Sequence, residues 1–213
     1  MILLEKKKKS NVFYLVELAL LFAIIIVLTM LPIKIGTIEM SLCMIPVVLG
    51  GVVMGPAAGA ILGGFFGLCS FSQCFGLLAP SAFGAFILGI SPVLTAIICF
   101  VPRIIMGYLS ALIFKTLYSK GKVRIISYIA ANLSGAVLNT VLFTGAVVLF
   151  FFGNEKFVAQ MQTWGLNTNS VWVFIAAFVA LNGIIEAIVC STLGTAVSKG
   201  VHTALLKMHK INN

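Results

Sequence analysis

The sequence predicts an all-α integral membrane protein with six transmembrane helices, both termini in the cytoplasm and long outer loops. Composition, the lengths of the apolar runs and the placement of charge predict it. Of 213 residues, 61% are hydrophobic and 9% charged, whereas a soluble domain is roughly 45–50% apolar and about 25% charged. A soluble chain so composed would expose large apolar patches and aggregate; lipid is the solvent that fits. Residues 1–213 read as one transmembrane domain, with a basic segment over 1–11 and a basic tail over 199–213.

A spanning helix needs about 20 mostly apolar residues. The first is Phe13–Met30, ended by Pro32. The basic stretch Met1–Ser10 precedes it, and no small-residue cleavage site follows a short apolar region, so the run reads as a retained helix. The second is the shorter Ser41–Met54, ended by Gly55–Pro56, and the third the Gly- and Ala-rich Ala57–Phe71. Gln73–Ser91 is interrupted by Gly76, Pro80, Gly84 and Gly89 and reads as a long loop with a partial helix. Pro92–Leu117 is the fourth helix, with a kink expected at Pro102, and Ile125–Phe152 the fifth. Gly153–Ser170, with Asn154, Asn167 and Asn169, reads as a loop. Val171–Val197 is the sixth helix, and the tail Lys199–Asn213 follows.

Charge sets the orientation. Lys6–Lys9 precede the first helix, Lys115, Lys120, Lys122 and Arg124 separate the fourth from the fifth, and Lys199, Lys207 and Lys210 follow the sixth. With six spans these segments share one side, which the positive-inside rule makes cytoplasmic. The opposite loops hold only Lys34 with Glu39 and Glu155 with Lys156. Five spans would put the basic tail outside.

Other classes find little support. The net charge of +9 sits at the chain ends and in one loop, a membrane pattern rather than a nucleic-acid surface. Cys43, Cys69, Cys74, Cys99 and Cys190 form no CxxC pair and mostly lie in apolar runs, where Cys behaves as a small hydrophobe. Cys69 and Cys74 flank one outer loop and could pair, though nothing requires it. No P-loop is present, His202 and His209 lie in the tail, and without any Asp no Ser-His-Asp set exists. Neither catalysis nor a cofactor has a foothold.

A few residues stand out. Ala19 and Ala23 form a small-xxx-small pair, the device by which helices approach closely in lipid; the partner is either this chain or another. Gly59, Gly63, Gly64 and Gly67 give the third helix a smooth face, suited to internal packing. Arg103 lies about 16 Å along the fourth helix at 1.5 Å per residue. A charge at that depth needs a polar cavity or a partner. Glu186, deep in the sixth helix, has the same need, so the two either neutralise each other or meet a substrate. Asn182 lies four positions before Glu186, on the same helix face. Asn139 and Thr140 sit mid-way along the fifth helix, with Asn132 and Ser134 a turn or two before, and buried amides in lipid need partners. Glu17 reads as interfacial, near the lysines. Trp164 and Trp172 flank the outer end of the sixth helix, as belt residues or as stacking surfaces for a flat ligand.

The segment IPVVLGGVVMGPAAGAILGGFFGLCSF (Ile45–Phe71) resembles helices two and three of the substrate-binding S-components of energy-coupling-factor (ECF) vitamin transporters. PRIIMGYLSALIF (Pro102–Phe114), LNTVLF (Leu138–Phe143) and NGIIEAIV (Asn182–Val189) resemble helices four, five and six of that family, in order. The resemblance implies a six-helix subunit of the bacterial cell membrane that captures a vitamin outside. Its pocket would use Arg103, Asn139, Thr140, Asn182, Glu186 and Trp164. It would dock through Ala19 and Ala23 on a transmembrane scaffold subunit carrying two ATPase subunits, which accounts for the missing P-loop. The spacing of LNTVLF and NGIIEAIV is most similar to pantothenate-type members, whereas Cys43-Met44 stands where those members have a more polar residue; riboflavin-type and other vitamin members stay open. A secondary transporter, which often shows an inverted repeat, and an assembly protein without a ligand are the competing classes.

Overall fold

The structure is a computed structural model that describes residues 11–31, 33–35, 38–118, 125–166, 168, 170–179 and 183–211. Helix α1 (Asn11–Thr29) buries Leu18, Leu21 and Ile25 and exposes Val12, Phe13, Leu15, Val16 and Leu20. Apolar side chains all round are what a lipid-facing helix requires. A short antiparallel hairpin of β1 (Ile33–Ile35) and β2 (Ile38–Met40) follows, with Lys34 opposite Glu39 in the register. Helix α2 (Met44–Met54) is joined to α3 (Pro56–Cys74) through Gly55, whose φ of +100° excludes other residues without strain, and Pro56 opens α3 with the φ a first helical turn needs.

The segment after α3, expected as a long loop with a partial helix, contains a helix of 9 residues. Ser81 caps α4 (Ala82–Ile90) by accepting from the Gly84 amide at 3.1 Å. Helix α5 (Pro92–Tyr118) stays helical through Pro102, and α6 (Ile125–Phe151) returns beside it. The stretch expected as a loop at 153–170 contains α7 (Glu155–Thr163). Asn154 caps it by accepting from the Lys156 and Phe157 amides at 3.0 and 3.3 Å, and Phe157 and Met161, one turn apart, are both buried. The stretch expected as the sixth helix contains α8 (Val171–Phe178) and, from Ile184 on, α9 (Ile184–Val189), a π-helical turn (Cys190–Gly194) and α10 (Thr195–Ile211) in direct succession. The tail beyond Val197 is therefore helical as far as Ile211.

Among the described residues, five stretches are long and apolar enough to cross a membrane: 12–29, 56–74, 92–118, 125–151 and 184–207. Helix α2 has 11 residues, about 16 Å at 1.5 Å per residue, short of the ~30 Å hydrocarbon core.

Close packing is concentrated where α3 lies on α5. A methyl group at Gly59, Gly63 or Gly67 would strike the backbone carbonyl of Gly107, Arg103 or Cys99 respectively, so glycine is what lets these backbones touch. Gly64 has more room, with Ile104 3.5 Å from where its Cβ would stand. On the other side of α5, α6 meets α10 through a polar seam. The Tyr128 hydroxyl and His202 Nδ1 lie 2.7 Å apart, and Asn132 Nδ2 donates to Ser198 Oγ at 3.4 Å. Asn132 thus supports helix–helix contact, whereas Ser134 donates to Ala131 O within its own helix.

Apolar burial falls into two clusters. One joins α1, α2 and α3 to Met106, Phe114, Tyr128 and Cys190. The other joins α4, α7 and α8 to Ile98, Val147 and Phe151. All five cysteines are free and buried, so Cys69 and Cys74 remain separate thiols.

Candidate functional site

Arg103 is 7% exposed and touches both clusters, with its guanidinium carbon 5.4 Å from the Phe66 ring centroid and 4.8 Å from that of Phe143. Such contacts favour a cation in an apolar setting. Nη1 donates to Ile98 O at 2.6 Å and Nη2 to Ser70 Oγ at 3.2 Å. Nε is buried without a partner.

Glu186, 6% exposed, lies opposite on α9. Thr140 Oγ1 donates to its Oε2 at 3.5 Å, and the Asn139 side chain and the backbone of Ser41 lie alongside the carboxylate. Among the described residues Arg103 and Glu186 form no ion pair with each other, although each lies within the other's field. The pairing that would have neutralised both is therefore not made. Asn139 and Thr140 are brought to Glu186 because all three fall on facing strips of α6 and α9.

Among the described residues five buried side-chain polar atoms have no hydrogen bond: Arg103 Nε, Asn139 Oδ1 and Thr144 Oγ1, and, on α6 and α10, Asn132 Oδ1 and Thr195 Oγ1. Each such group in an apolar interior costs about 1–3 kcal/mol unless something answers it. An unpartnered guanidinium N–H calls for a negative or polar acceptor, an unpartnered amide oxygen for a donor, and a hydroxyl for either.

Aromatic rings run from Arg103 toward α4 and α7. Phe143, which stacks over Arg103, lies 6.2 Å from Phe83 on α4, and Phe83 lies 6.4 Å from Trp164 at the end of α7. Trp164 is half-buried and also packs 5.8 Å from Phe86. It stands two rings away from Arg103 rather than beside it. Trp172 is 79% exposed, as a lipid-interface residue is. Asn182 lies outside the described residues. Ala19 and Ala23 are both exposed on α1, away from the polar layer.

Four contributors escaped the sequence reading. Thr144 was within reach of pattern, one turn beyond Thr140 on the polar strip of α6. Ser70, Phe66 and Phe143 carried no signal, because a serine in a Gly/Ala-rich helix and two of 17 phenylalanines do not stand out.

Residues 13–198 match the family described as "ECF transporter, substrate-specific component". The chain is also 27% identical over 204 residues to the "Pantothenic acid transporter PanT" of Lactococcus lactis subsp. cremoris (strain MG1363), covering 91% of this chain and 94% of that protein. The family match spans both small-residue helices, the polar layer and helices α8 and α9, and on that extent the chain belongs to the ECF transporter substrate-specific component family.

Proposed function

We propose that this subunit captures pantothenate at the outer face and passes it inward on an ATP-driven module. The observation that carries this is Arg103, a buried guanidinium held by neutral partners and not by Glu186. Pantothenate offers one carboxylate, an amide and hydroxyls. Arg103 would meet the carboxylate. Asn139, Thr140 and Asn182 would bond the amide and hydroxyls, Glu186 would accept from a hydroxyl, and Trp164 would help to cover the ligand. The name of the Lactococcus relative supports the same substrate.

The test is a ligand screen on the purified, detergent-solubilised chain. Pantothenate at a hundredfold excess over its dissociation constant stabilises the fold by about 2.7 kcal/mol. Stabilisation by riboflavin or another vitamin, with none from pantothenate, reassigns the substrate while leaving the family intact.

Uptake also needs partners. We place the docking face on α1, where exposed Ala19 and Ala23 let another helix approach, and assign ATP hydrolysis to two ATPase subunits bound to a transmembrane scaffold. Co-purification of those subunits tests the assembly. Six spans with cytoplasmic ends, α2 being the short one, follow from the basic segments. In a cysteine-free background, Asn169→Cys labels from outside and Ser119→Cys only from inside; outside labelling at 119 refutes the orientation.

A further inference from the structure

Pro102 stands in the interior of α5, immediately before Arg103, and both are buried. A proline has no amide hydrogen, so the carbonyl four residues earlier loses its helical donor. That carbonyl belongs to Ile98, and it accepts from Arg103 Nη1 at 2.6 Å. The guanidinium thus fills the vacancy that the preceding residue creates. Ser70, reaching from α3, accepts from Nη2 at 3.2 Å, and Phe66 and Phe143 flank the same group.

These contacts choose which edge of the fork stays unpartnered. A guanidinium has five N–H donors in one plane, and a carboxylate meets it either across the two terminal nitrogens or side-on across Nε and Nη2. Here Nη1 donates to Ile98 and Nη2 gives one of its two N–H groups to Ser70, so Nε is the one nitrogen of the fork with no partner. The side-on edge, formed by Nε and the second N–H of Nη2, is the one left for an anion. We propose that Pro102 and Ser70 are positioning residues that orient the Arg103 guanidinium so that its Nε edge receives the carboxylate of the substrate. This rests on the reading of the pocket given above.

Pro102→Ala provides the test, because the new amide competes for the Ile98 carbonyl and releases Nη1. Binding of pantothenate and of its uncharged primary-alcohol analogue is measured on the purified full chain, together with the melting temperature without ligand. Pro102→Ala should weaken pantothenate binding about tenfold or more, as loss of order in a charge-assisted hydrogen bond does. The alcohol should hold within about twofold, since its interaction needs no oriented cation. The ligand-free melting temperature should stay level or rise, because an interior proline disfavours a helix. Ser70→Ala should act in the same direction and Ser70→Thr should restore binding; this pair decides the matter if Pro102→Ala fails to fold. Arg103→Gln should erase the preference for the carboxylate. If it does while Pro102→Ala and Ser70→Ala both keep the full preference, the positioning role alone is overturned. If Arg103→Gln keeps the preference, or the unaltered chain does not bind pantothenate, the pocket reading and this inference fall together.

Discussion

Helices α1 and α3 both carry small residues four positions apart, yet the fold uses them in opposite ways. On α3, Gly59, Gly63 and Gly67 are filled by the backbone of α5, and no side-chain atom fits between. On α1, Ala19 and Ala23 are exposed, among exposed Leu15, Val16, Leu20 and Val27. A small-residue motif states that a backbone can come close; it does not state whose. A motif consumed inside the chain fixes the fold, and one left open is available to another protein.

The largest test of that contrast is Gly63→Ala. The added methyl meets the backbone of Arg103, which cannot rotate aside, so the cost is about 1–3 kcal/mol, as for other overpacked sites. The ligand-free melting temperature should fall and substrate affinity with it, because the Arg103 backbone must shift. An unchanged melting temperature would show that α3 and α5 are looser than described. Next comes the double variant Ala19→Leu with Ala23→Leu. Its melting temperature and pantothenate affinity should be unaltered, since surface changes usually stay within about 0.5 kcal/mol, while uptake by the assembled transporter is blocked. Normal uptake would move the docking face elsewhere. Tyr128→Phe asks how much helix contact in this chain comes from hydrogen bonds rather than small residues. Losing the bond to His202 should cost about 1 kcal/mol, visible as a modest drop in melting temperature with binding unaffected. The smallest effect belongs to Gly145→Ala on α6. Nothing lies within 4 Å of the new Cβ there, so stability should hold or rise by up to about 1 kcal/mol from helix propensity. A clear loss would mean that this face, too, is packed against something.

The two charges show the same limit of legibility. Depth along the helix made Arg103 and Glu186 conspicuous, because a charge in lipid demands an answer. Whether they answered each other was not readable. In the fold, Ile98, Ser70, Phe66 and Phe143 hold the arginine, and Thr140 with Asn139 attends the glutamate. Helix α7 was a different kind of miss. Asn154 as cap and Phe157 and Met161 at helical spacing are ordinary signals, masked by the polar composition of the stretch.

By itself, the sequence determined that the chain lives in lipid, where the long apolar helices run, and which buried polar residues need explaining. These follow from burial cost and helical period, which act residue by residue along the chain. Tertiary structure decided which small-residue face is internal, that a π-helical turn follows the helix bearing Glu186, that the segments after α3 and α6 hold capped helices bearing aromatic rings, and that a proline frees the carbonyl that holds Arg103. Those outcomes depend on which backbone lies against which, and distance between helices is not encoded in the spacing along any one of them.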